Sequence, residues 1–279
     1  MMQSAAGMAP KKMIRNNGAA YRTNRFPSPY VATEIPVGER FMTTVEKQVT
    51  GNYHIFMLHG GGYAAEALPR HADIIRALVS KGYRVTAFAY PLFPEHDIME
   101  IHEAVYGAWQ LLCKLYPHDT FALFGDSAGG ALGLNLEMRL RDEGDSRRPL
   151  KTVFASPALD MSLTNPDIEP YIEIDISVSF YSAKMLGEKL AGDRDTKGVY
   201  LSPLYGTHHD LGELLMFYGG KEFLRPDCEL FAEKIKDTPG TQIQAYMAPK
   251  RYHDYLLWVN YPESIEAFEK IDGFLKGIV

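Results

Sequence analysis

Short apolar runs alternate with longer segments of helical periodicity along most of this chain, and this alternation limits the folds open to it. The apolar runs predict strands at 53–58, 83–90, 120–124, 151–155, 213–219 and 241–247, with an exposed strand at 40–48. The periodic segments predict helices at 66–81, 98–115, 129–142, 226–236 and 262–276. Strands that alternate with helices form βαβ units, so the sequence predicts an α/β fold whose mostly parallel sheet carries helices on both faces.

The alternation is interrupted between residues 160 and 205. This segment contains Pro166, Pro170 and Pro203, many acidic residues and one helix candidate at 182–191. It is too long for an ordinary connection within a compact domain. We therefore interpret 160–205 as an insertion over the C-terminal edge of the sheet, where open α/β sheets bind their ligands.

Length, charge and cysteine content exclude several classes of protein. The 279 residues fit a single α/β domain, with residues 1–35 as an N-terminal arm that is either solvated or packed over the mouth of the site. The formal net charge of −6 argues against a nucleic-acid-binding protein. No run approaches the roughly 18 apolar residues of a membrane span, and residues 1–30 lack the apolar core of a secretory signal. Two cysteines cannot form a disulfide framework, so we expect a cytoplasmic protein.

The motif GDSAG at 125–129 follows the predicted strand 120–124 and opens the predicted helix 129–142. In that context a G-x-S-x-G motif indicates a sharp strand-to-helix turn that exposes the serine hydroxyl. Small flanking residues let the neighbouring backbones approach, and the helix N terminus directs free N–H groups towards a developing oxyanion. We therefore predict that Ser127 is a nucleophile and that Asp126 has a structural role.

The motif HGGGY at 59–63 follows the predicted strand 53–58. Its three glycines leave backbone N–H groups open to a ligand oxygen. Taken alone, such a loop could bind phosphate, but acyl transfer needs the same kind of preorganised donors around a tetrahedral oxyanion. Because GDSAG follows further along the chain, we predict that the N–H groups of Gly61, Gly62 and Ala128 form an oxyanion hole.

The segments HGGGY, YPLFPEH, GDSAGG and SPALD, in this order, resemble the α/β-hydrolase fold and in particular its hormone-sensitive-lipase-like esterase family. The resemblance extends from about residue 53 to the C terminus. The second segment departs from the family pattern Y-R-L-A-P-E, since Pro91 replaces its arginine and Phe93 its alanine. The resemblance implies a serine hydrolase of carboxylic esters, with a cap made from the N-terminal arm and the 160–205 insertion.

The general base is expected after the last strand, because the catalytic residues of this fold follow the chain order serine, acid, histidine. His253 stands in the loop between the predicted strand 241–247 and the predicted helix 262–276. We predict that His253 accepts the hydroxyl proton of Ser127 and later delivers it to the leaving group.

The acid is expected after the predicted strand 213–219. The resembled family has D-P-L-R-D-E at this point, and in register its first aspartate falls on Glu222. An ionised glutamate can hold the imidazole tautomer and stabilise the imidazolium as an aspartate does. Asp227 is the alternative acid, although an acidic residue in the first turn of a helix also complements the helix dipole.

These residues predict an esterase that works through an acyl-enzyme, and the resemblance implies short to medium acyl chains. Amide, formamide or sugar-acetyl hydrolysis would use the same residues, and the pocket under 160–205 would decide between them. A ligand-binding receptor on a hydrolase scaffold is a third hypothesis, because plant gibberellin receptors resemble this family but lack the catalytic histidine. The presence of His253 favours an enzyme.

The chemistry so assigned requires a small-molecule ester and no cofactor. His208 and His209 could suggest a metal site, but adjacent side chains rarely point the same way and no third ligand is evident, so we predict no metal. Dimers are common among related esterases, so the resemblance leaves a homodimer open.

Overall fold

The computed structural model describes residues 17–47 and 53–278, which are organised around one eight-stranded sheet. Its strands are β1 (Val31–Val37), β2 (Arg40–Glu46), β3 (Tyr53–Leu58), β4 (Arg84–Ala89), β5 (Thr120–Asp126), β6 (Lys151–Ala155), β7 (Gly212–Gly219) and β8 (Thr241–Ala248). The spatial order is β1-β2-β4-β3-β5-β6-β7-β8. Strands β3 to β8 run parallel, whereas β1 and β2 pair antiparallel at one end. The predicted mostly parallel sheet is confirmed.

Helices cover both faces of this sheet. They are α1 (Pro69–Ser80), α2 (Ile98–Leu115), α3 (Ala128–Asp142), α4 (Phe180–Ala191), α5 (Arg225–Ile235) and α6 (Pro262–Lys276). Alternate strand residues point to opposite faces. In β3, Ile55 and Met57 therefore pack in a core with α1 and α6, whereas Phe56 and Leu58 pack in a core with α2 and α3. Helix α5 packs against the second face further along the sheet.

The antiparallel end of the sheet differs from the prediction in two ways. Strand β1 was not predicted, and residues 31–35 belong to it although the sequence assigned them to the N-terminal arm. Strand β2 lies between β1 and β4, so its five central residues are buried and the expected exposure of 40–48 is wrong. An edge strand such as β1 is half solvated and contains Pro36, which weakens its sequence signal.

The described part of the N-terminal segment packs onto the domain. Tyr21 and Phe26 are buried in the core that α1 and α6 share. The backbone N–H of Gly18 donates to Glu66 Oε2 at 3.1 Å, and Glu66 lines the cavity described below. Residues 1–16, on which much of the prediction of an arm rests, lie outside the described residues.

The segment 160–205 lacks strands and contains α4 between short 3₁₀ turns. Helix α4 begins two residues before the predicted 182–191, with the Ser179 side chain accepting the Ser182 N–H at 3.3 Å. The helix packs closely against the start of the same segment, because a Cβ at Gly187 would lie 2.4 Å from the carbonyl oxygen of Met161. No helix in the described parts of the chain is long and apolar enough to cross a membrane.

Candidate active site

Ser127 occupies the sharp turn between the end of β5 and the start of α3. Its φ of 48° and ψ of −120° are strained for a residue with a side chain. Hydrogen bonds on both sides hold this conformation: the Ser127 N–H donates to Ala155 O at 2.9 Å, and its carbonyl accepts from Gly130 N and Ala158 N, each at 3.0 Å. Neighbouring backbone thus supports the strained turn.

Glycines beside the turn allow the backbones to come together. A Cβ at Gly129 would lie 2.1 Å from the carbonyl oxygen of Leu58, at the end of β3. A Cβ at Gly125 would lie 2.5 Å from the carbonyl oxygen of Gly129. Only glycine fits at these two positions, and the resulting contact brings the glycine loop after β3 next to Ser127.

The glycine loop offers unused backbone donors. Gly61 and Gly62 have φ values of 121° and 60°, which L residues rarely adopt, and both line the cavity in front of Ser127. Within residues 17–47 and 53–278, the N–H groups of Gly61, Gly62 and Ala128 donate to no protein acceptor. Ala128 is the first residue of α3, so its N–H lies at the positive end of the helix dipole.

The structure brings His253 and Glu222 into line with Ser127. His253 Nε2 lies 3.0 Å from Ser127 Oγ, and its Nδ1 lies 2.6 Å from Glu222 Oε2. Glu222 is fully buried, and its other oxygen accepts the Gly219 N–H at 2.6 Å and the Ser156 hydroxyl at 2.9 Å. With one oxygen fixed in this way, the other is directed at the imidazole, so Nδ1 carries the proton and Nε2 can accept one from Ser127.

Asp227, the alternative acid, faces elsewhere. It lies in the first turn of α5, and its Oδ1 accepts the side-chain N–H of Asn165 at 2.8 Å. Burial raises the pKa of Asp227 to about 7. A second carboxylate, Asp175, accepts the Phe223 N–H at 3.2 Å, next to Glu222. Asn165 and Asp175 both belong to 160–205, so this segment is tied twice to the region that carries Glu222.

Asp254 is a site residue to which the sequence assigned no role. Its φ of 54° turns the carboxylate back over the preceding histidine, and Oδ2 lies 3.1 Å from His253 Nε2. Burial disfavours a charged His253, but the carboxylates of Asp254 and Glu222 outweigh it and raise the pKa of His253 well above its usual value. Burial in turn raises the pKa of Asp254 to about 6. Its adjacency to His253 is visible in the sequence, whereas the left-handed turn is not.

A second buried histidine, His71 of α1, supports the glycine loop. Its Nδ1 lies 2.8 Å from the Leu68 nitrogen and 3.2 Å from the Leu68 carbonyl oxygen, so it accepts the N–H when the ring is neutral and donates to the carbonyl when the ring is protonated. In both states Nε2 carries a proton and donates to Asp126 Oδ2 at 3.0 Å. The same carboxylate oxygen accepts the Gly60 N–H at 2.8 Å. Burial opposes charge on both side chains, but their mutual attraction raises the pKa of His71 and lowers that of Asp126. The predicted structural role of Asp126 therefore has a concrete form, whereas His71 was missed because its helix gives no local signal.

The cavity in front of Ser127 has a volume of about 390 Å³. Much of its wall is apolar, including Met161, Leu163 and Leu186 from 160–205 and Trp258 from the loop before α6. In the part of the chain that the structure describes, no lysine or arginine lines it. Across residues 17–47 and 53–278, no group of three or more His, Cys, Asp or Glu side chains could hold a metal ion.

Comparison with known proteins identifies the family to which the chain belongs. A family model described as an alpha/beta hydrolase fold matches residues 55–257, so the chain belongs to the α/β-hydrolase family. The crystal structure of an esterase from the bacterial hormone-sensitive lipase family superposes with a TM-score of 0.81 at 24% identity, covering 91% of this chain and 86% of that one. The resemblance inferred from the motifs is confirmed.

Two curated relatives are similar in sequence. An esterase of Acinetobacter venetianus is 30% identical over 197 residues, which are 69% of this chain and 64% of that protein. Esterase LipU of Mycobacterium tuberculosis is 26% identical over 233 residues, which are 80% of this chain and 77% of that protein. The match to the Acinetobacter protein thus spans less than two thirds of its length.

Proposed function

We propose that this protein is a serine hydrolase that cleaves carboxylic esters of short to medium acyl chains. The observation that carries the proposal is the continuous chain of contacts from Ser127 Oγ through His253 to Glu222 Oε2, at 3.0 and 2.6 Å. The names of the two curated relatives, both esterases, support the choice of ester over other acyl bonds.

In the first half of the reaction, Ser127 Oγ attacks the ester carbonyl while His253 Nε2 takes its proton. The negative charge that develops on the carbonyl oxygen is stabilised by the N–H groups of Gly61, Gly62 and Ala128. Collapse of the tetrahedral intermediate breaks the bond to the alcohol, which leaves with the proton from Nε2. The acyl group then remains on the serine.

In the second half, water takes the place of the alcohol. His253 Nε2 removes a proton from the water, and the resulting tetrahedral intermediate collapses to release the carboxylic acid. The proton returns from Nε2 to Ser127 Oγ. Throughout, Glu222 holds the Nδ1 tautomer and stabilises the imidazolium, without itself being protonated.

The walls of the cavity support the expected chain length. A volume of about 390 Å³ lies at the lower end of the size range of small-molecule sites. Segment 160–205 supplies apolar wall residues from α4 and from the loop before it, as expected for part of a cap. We therefore propose that the acyl chain lies against this segment and that its length is limited there.

The test is turnover of p-nitrophenyl esters from acetate to decanoate. We expect activity that is greatest with the shorter chains, loss of that activity in Ser127→Ala, and covalent labelling of Ser127 by a fluorophosphonate. Ser146→Ala, which changes an exposed serine in the turn after α3, is the matched control and should retain full activity. A folded protein that neither turns over any of these esters nor reacts with the probe would overturn the proposal.

Two further predictions concern the cellular location and the oligomeric state of the protein. Cys113 and Cys228 are both free and buried, which is compatible with the cytoplasmic location that we propose. The homodimer stays a prediction, to be tested by light scattering of the full chain.

A further inference from the structure

We propose that Asp254 is a positioning residue that shares a proton with His253 Nε2 and so sets the pH at which the general base becomes available. The inference rests on the proposed function, in which His253 Nε2 must accept the proton of Ser127. It adds a second carboxylate on the side of the imidazole where the reaction takes place, opposite Glu222.

The local backbone aims the Asp254 carboxylate at Nε2. Adjacent side chains usually diverge, but the left-handed φ of 54° at Asp254 folds its side chain back over His253. Aspartate is one of the few residues with a side chain that tolerates this conformation. The Asp254 N–H donates to Ser156 Oγ at 3.1 Å, and the Ser156 hydroxyl donates to Glu222 at 2.9 Å. Ser156 thus links both carboxylates into one network around the imidazole.

The distances around Nε2 require a shared proton. Nε2 lies 3.0 Å from Ser127 Oγ and 3.1 Å from Asp254 Oδ2. If His253 were neutral and Asp254 ionised, the Nε2 lone pair would face a carboxylate lone pair at hydrogen-bond distance. One proton between Nε2 and Oδ2 removes this repulsion, whether it is held as imidazolium or as carboxylic acid. Ser127 can be deprotonated only after that proton has left.

Other groups around the imidazole do not neutralise Asp254. Within the described parts of the chain, the titratable groups that act on His253 or Asp254 are Glu222, Asp175, Asp126, His71 and the buried thiol of Cys228, whose pKa is raised by burial. Asp126 is engaged by His71 and Gly60, and Asp175 accepts the backbone N–H of Phe223. Among the described residues, Asp254 Oδ1 is buried without a hydrogen-bond partner. Within residues 17–47 and 53–278, His253 is therefore the one cation in contact with this carboxylate.

Two opposite effects on activity follow. At low pH, Asp254 keeps the proton on the pair and holds Ser127 inactive. At high pH, once the proton has left, the same carboxylate stabilises the imidazolium that forms as Ser127 attacks. Removing the carboxylate should therefore raise kcat/KM at low pH and lower it at high pH, so that the two pH profiles cross. A merely structural role would lower activity at every pH.

The first experiment compares kcat/KM for p-nitrophenyl acetate in wild type, Asp254→Gly and Asp254→Asn from about pH 5 to 10. Glycine accepts the positive φ and removes the carboxylate, whereas asparagine keeps its shape. We expect the acid limb to move to lower pH by about 1–3 units, the usual effect of one opposite charge in contact. Profiles that keep their midpoints and differ only in height would overturn the proposal.

Asp210→Gly is the matched control. Asp210 also has a φ of 54°, also follows a histidine, and its Oδ2 lies 3.0 Å from Nδ1 of His209, but this pair is exposed to solvent and does not line the cavity in front of Ser127. The control therefore repeats the same substitution in the same backbone conformation away from the site. We expect its activity profile to coincide with that of wild type.

The second experiment does not depend on turnover. The Cε1–H signal of His253 is titrated by NMR in Ser127→Ala, with and without Asp254→Gly, and is assigned by its loss in His253→Gln. A midpoint lower by about one unit or more in the double variant supports the proposal. Coincident titration curves overturn it. If wild type hydrolyses no ester, the proposed function fails, yet this titration still decides the proton sharing.

Discussion

The histidines of two buried histidine–carboxylate pairs line the same cavity, and the pairs differ in what the second ring nitrogen of the histidine contacts. In the pair His71–Asp126, Nδ1 contacts the backbone of Leu68 and Nε2 donates to the carboxylate, so both nitrogens are engaged by groups that hold the fold. In the pair His253–Glu222, Nδ1 donates to the carboxylate and Nε2 faces the hydroxyl of Ser127. We call His71–Asp126 the closed pair, because both ring nitrogens of its histidine contact groups that only support the fold. In the other pair, one ring nitrogen contacts a hydroxyl that can react.

The comparison shows why burial and a raised pKa do not identify a general base. In both pairs burial disfavours the imidazolium, and a neighbouring carboxylate overcomes it and raises the pKa of the histidine. Perturbed pKa values occur in structural ion pairs as well as in active sites. What distinguishes His253 is the hydroxyl beside its second nitrogen.

The largest expected effect is the difference in kcat between substitutions of the two histidines. His253→Gln should lower kcat by about 10⁴-fold or more, because among the described residues only His253 has a side chain that is hydrogen-bonded to Ser127 Oγ and can take its proton. His71→Gln should lower kcat by about tenfold, since it only loosens the support of the glycine loop. Steady-state kinetics with active-site titration measures both. Equal losses of kcat would contradict the assignment of His253 as the general base and of His71 as a support of the glycine loop.

The next expected effect compares the two carboxylates. Glu222→Gln should lower kcat by about 10³–10⁴-fold, because the amide no longer holds the required tautomer or stabilises the imidazolium. Asp126→Asn should cost about 10–10²-fold, less than the loss of a whole oxyanion donor, because it displaces Gly60 without removing an N–H. The ratio of the two kcat values is the measurement. An Asp126→Asn loss as large as that of Glu222→Gln would contradict it.

A smaller effect concerns the stability of the closed pair. The raised pKa of His71 contributes stability that is present below its unfolded pKa and is lost as pH rises through the folded value. The lowered pKa of Asp126 contributes stability that is present above its unfolded pKa and is lost as pH falls through the folded value. Asp126→Asn should therefore cost about 1–3 kcal/mol between about pH 4 and 6.5, and less at pH 9.

Urea unfolding of wild type and Asp126→Asn at these pH values measures that difference. The titration of His253 is common to both proteins, so to a first approximation it cancels. A destabilisation that stays constant from acid to alkaline pH would indicate lost packing in place of a lost ion pair.

The smallest expected effect is at Asp227, which belongs to neither pair. Asp227→Asn should change kcat by less than about threefold, because the amide can still accept the Asn165 N–H. Burial raises the pKa of Asp227 to about 7, so its stabilising neutral form is lost as pH rises through that value. Because this loss begins near the unfolded pKa of about 4 and is complete above the folded value, the variant should gain stability relative to wild type at pH 8 and a smaller part of that gain at pH 5. Thermal unfolding at both pH values checks this, and a large loss of kcat would return Asp227 to consideration as the triad acid.

Much of the fold could be predicted because strong local patterns determined it. The helices at 98–115 and 262–276 and the strand at 151–155 have the predicted bounds. Helix α2 begins sharply, since Asp97 and Glu100 accept each other's backbone N–H at its first turn. Strand β1 lacked such a pattern, because it lies at the edge of the sheet and most of its residues are partly or fully exposed.

The candidate site likewise contains residues that could be predicted from the sequence and residues that could not. Ser127, Glu222 and His253 could be placed together because each stands just beyond the C-terminal end of a parallel strand, and those ends share one edge of the sheet. Asp254 and His71 could not be placed in this way. The position of the Asp254 carboxylate depends on one left-handed residue, and the contact between His71 and Asp126 joins a helix to a strand end far along the chain.

The two ties from 160–205 limit how this enzyme can diversify. The segment that shapes the substrate pocket is also fastened to the neighbourhood of Glu222, through Asn165 to Asp227 and through Asp175 to the backbone of Phe223. A graft of this segment from a relative would therefore replace two contacts with the region of the proposed acid Glu222, together with part of the pocket wall. Chimeras that retain Asn165 and Asp175 should change their substrate range and keep their kcat. Chimeras that lose these two residues should change their substrate range and have a lower kcat.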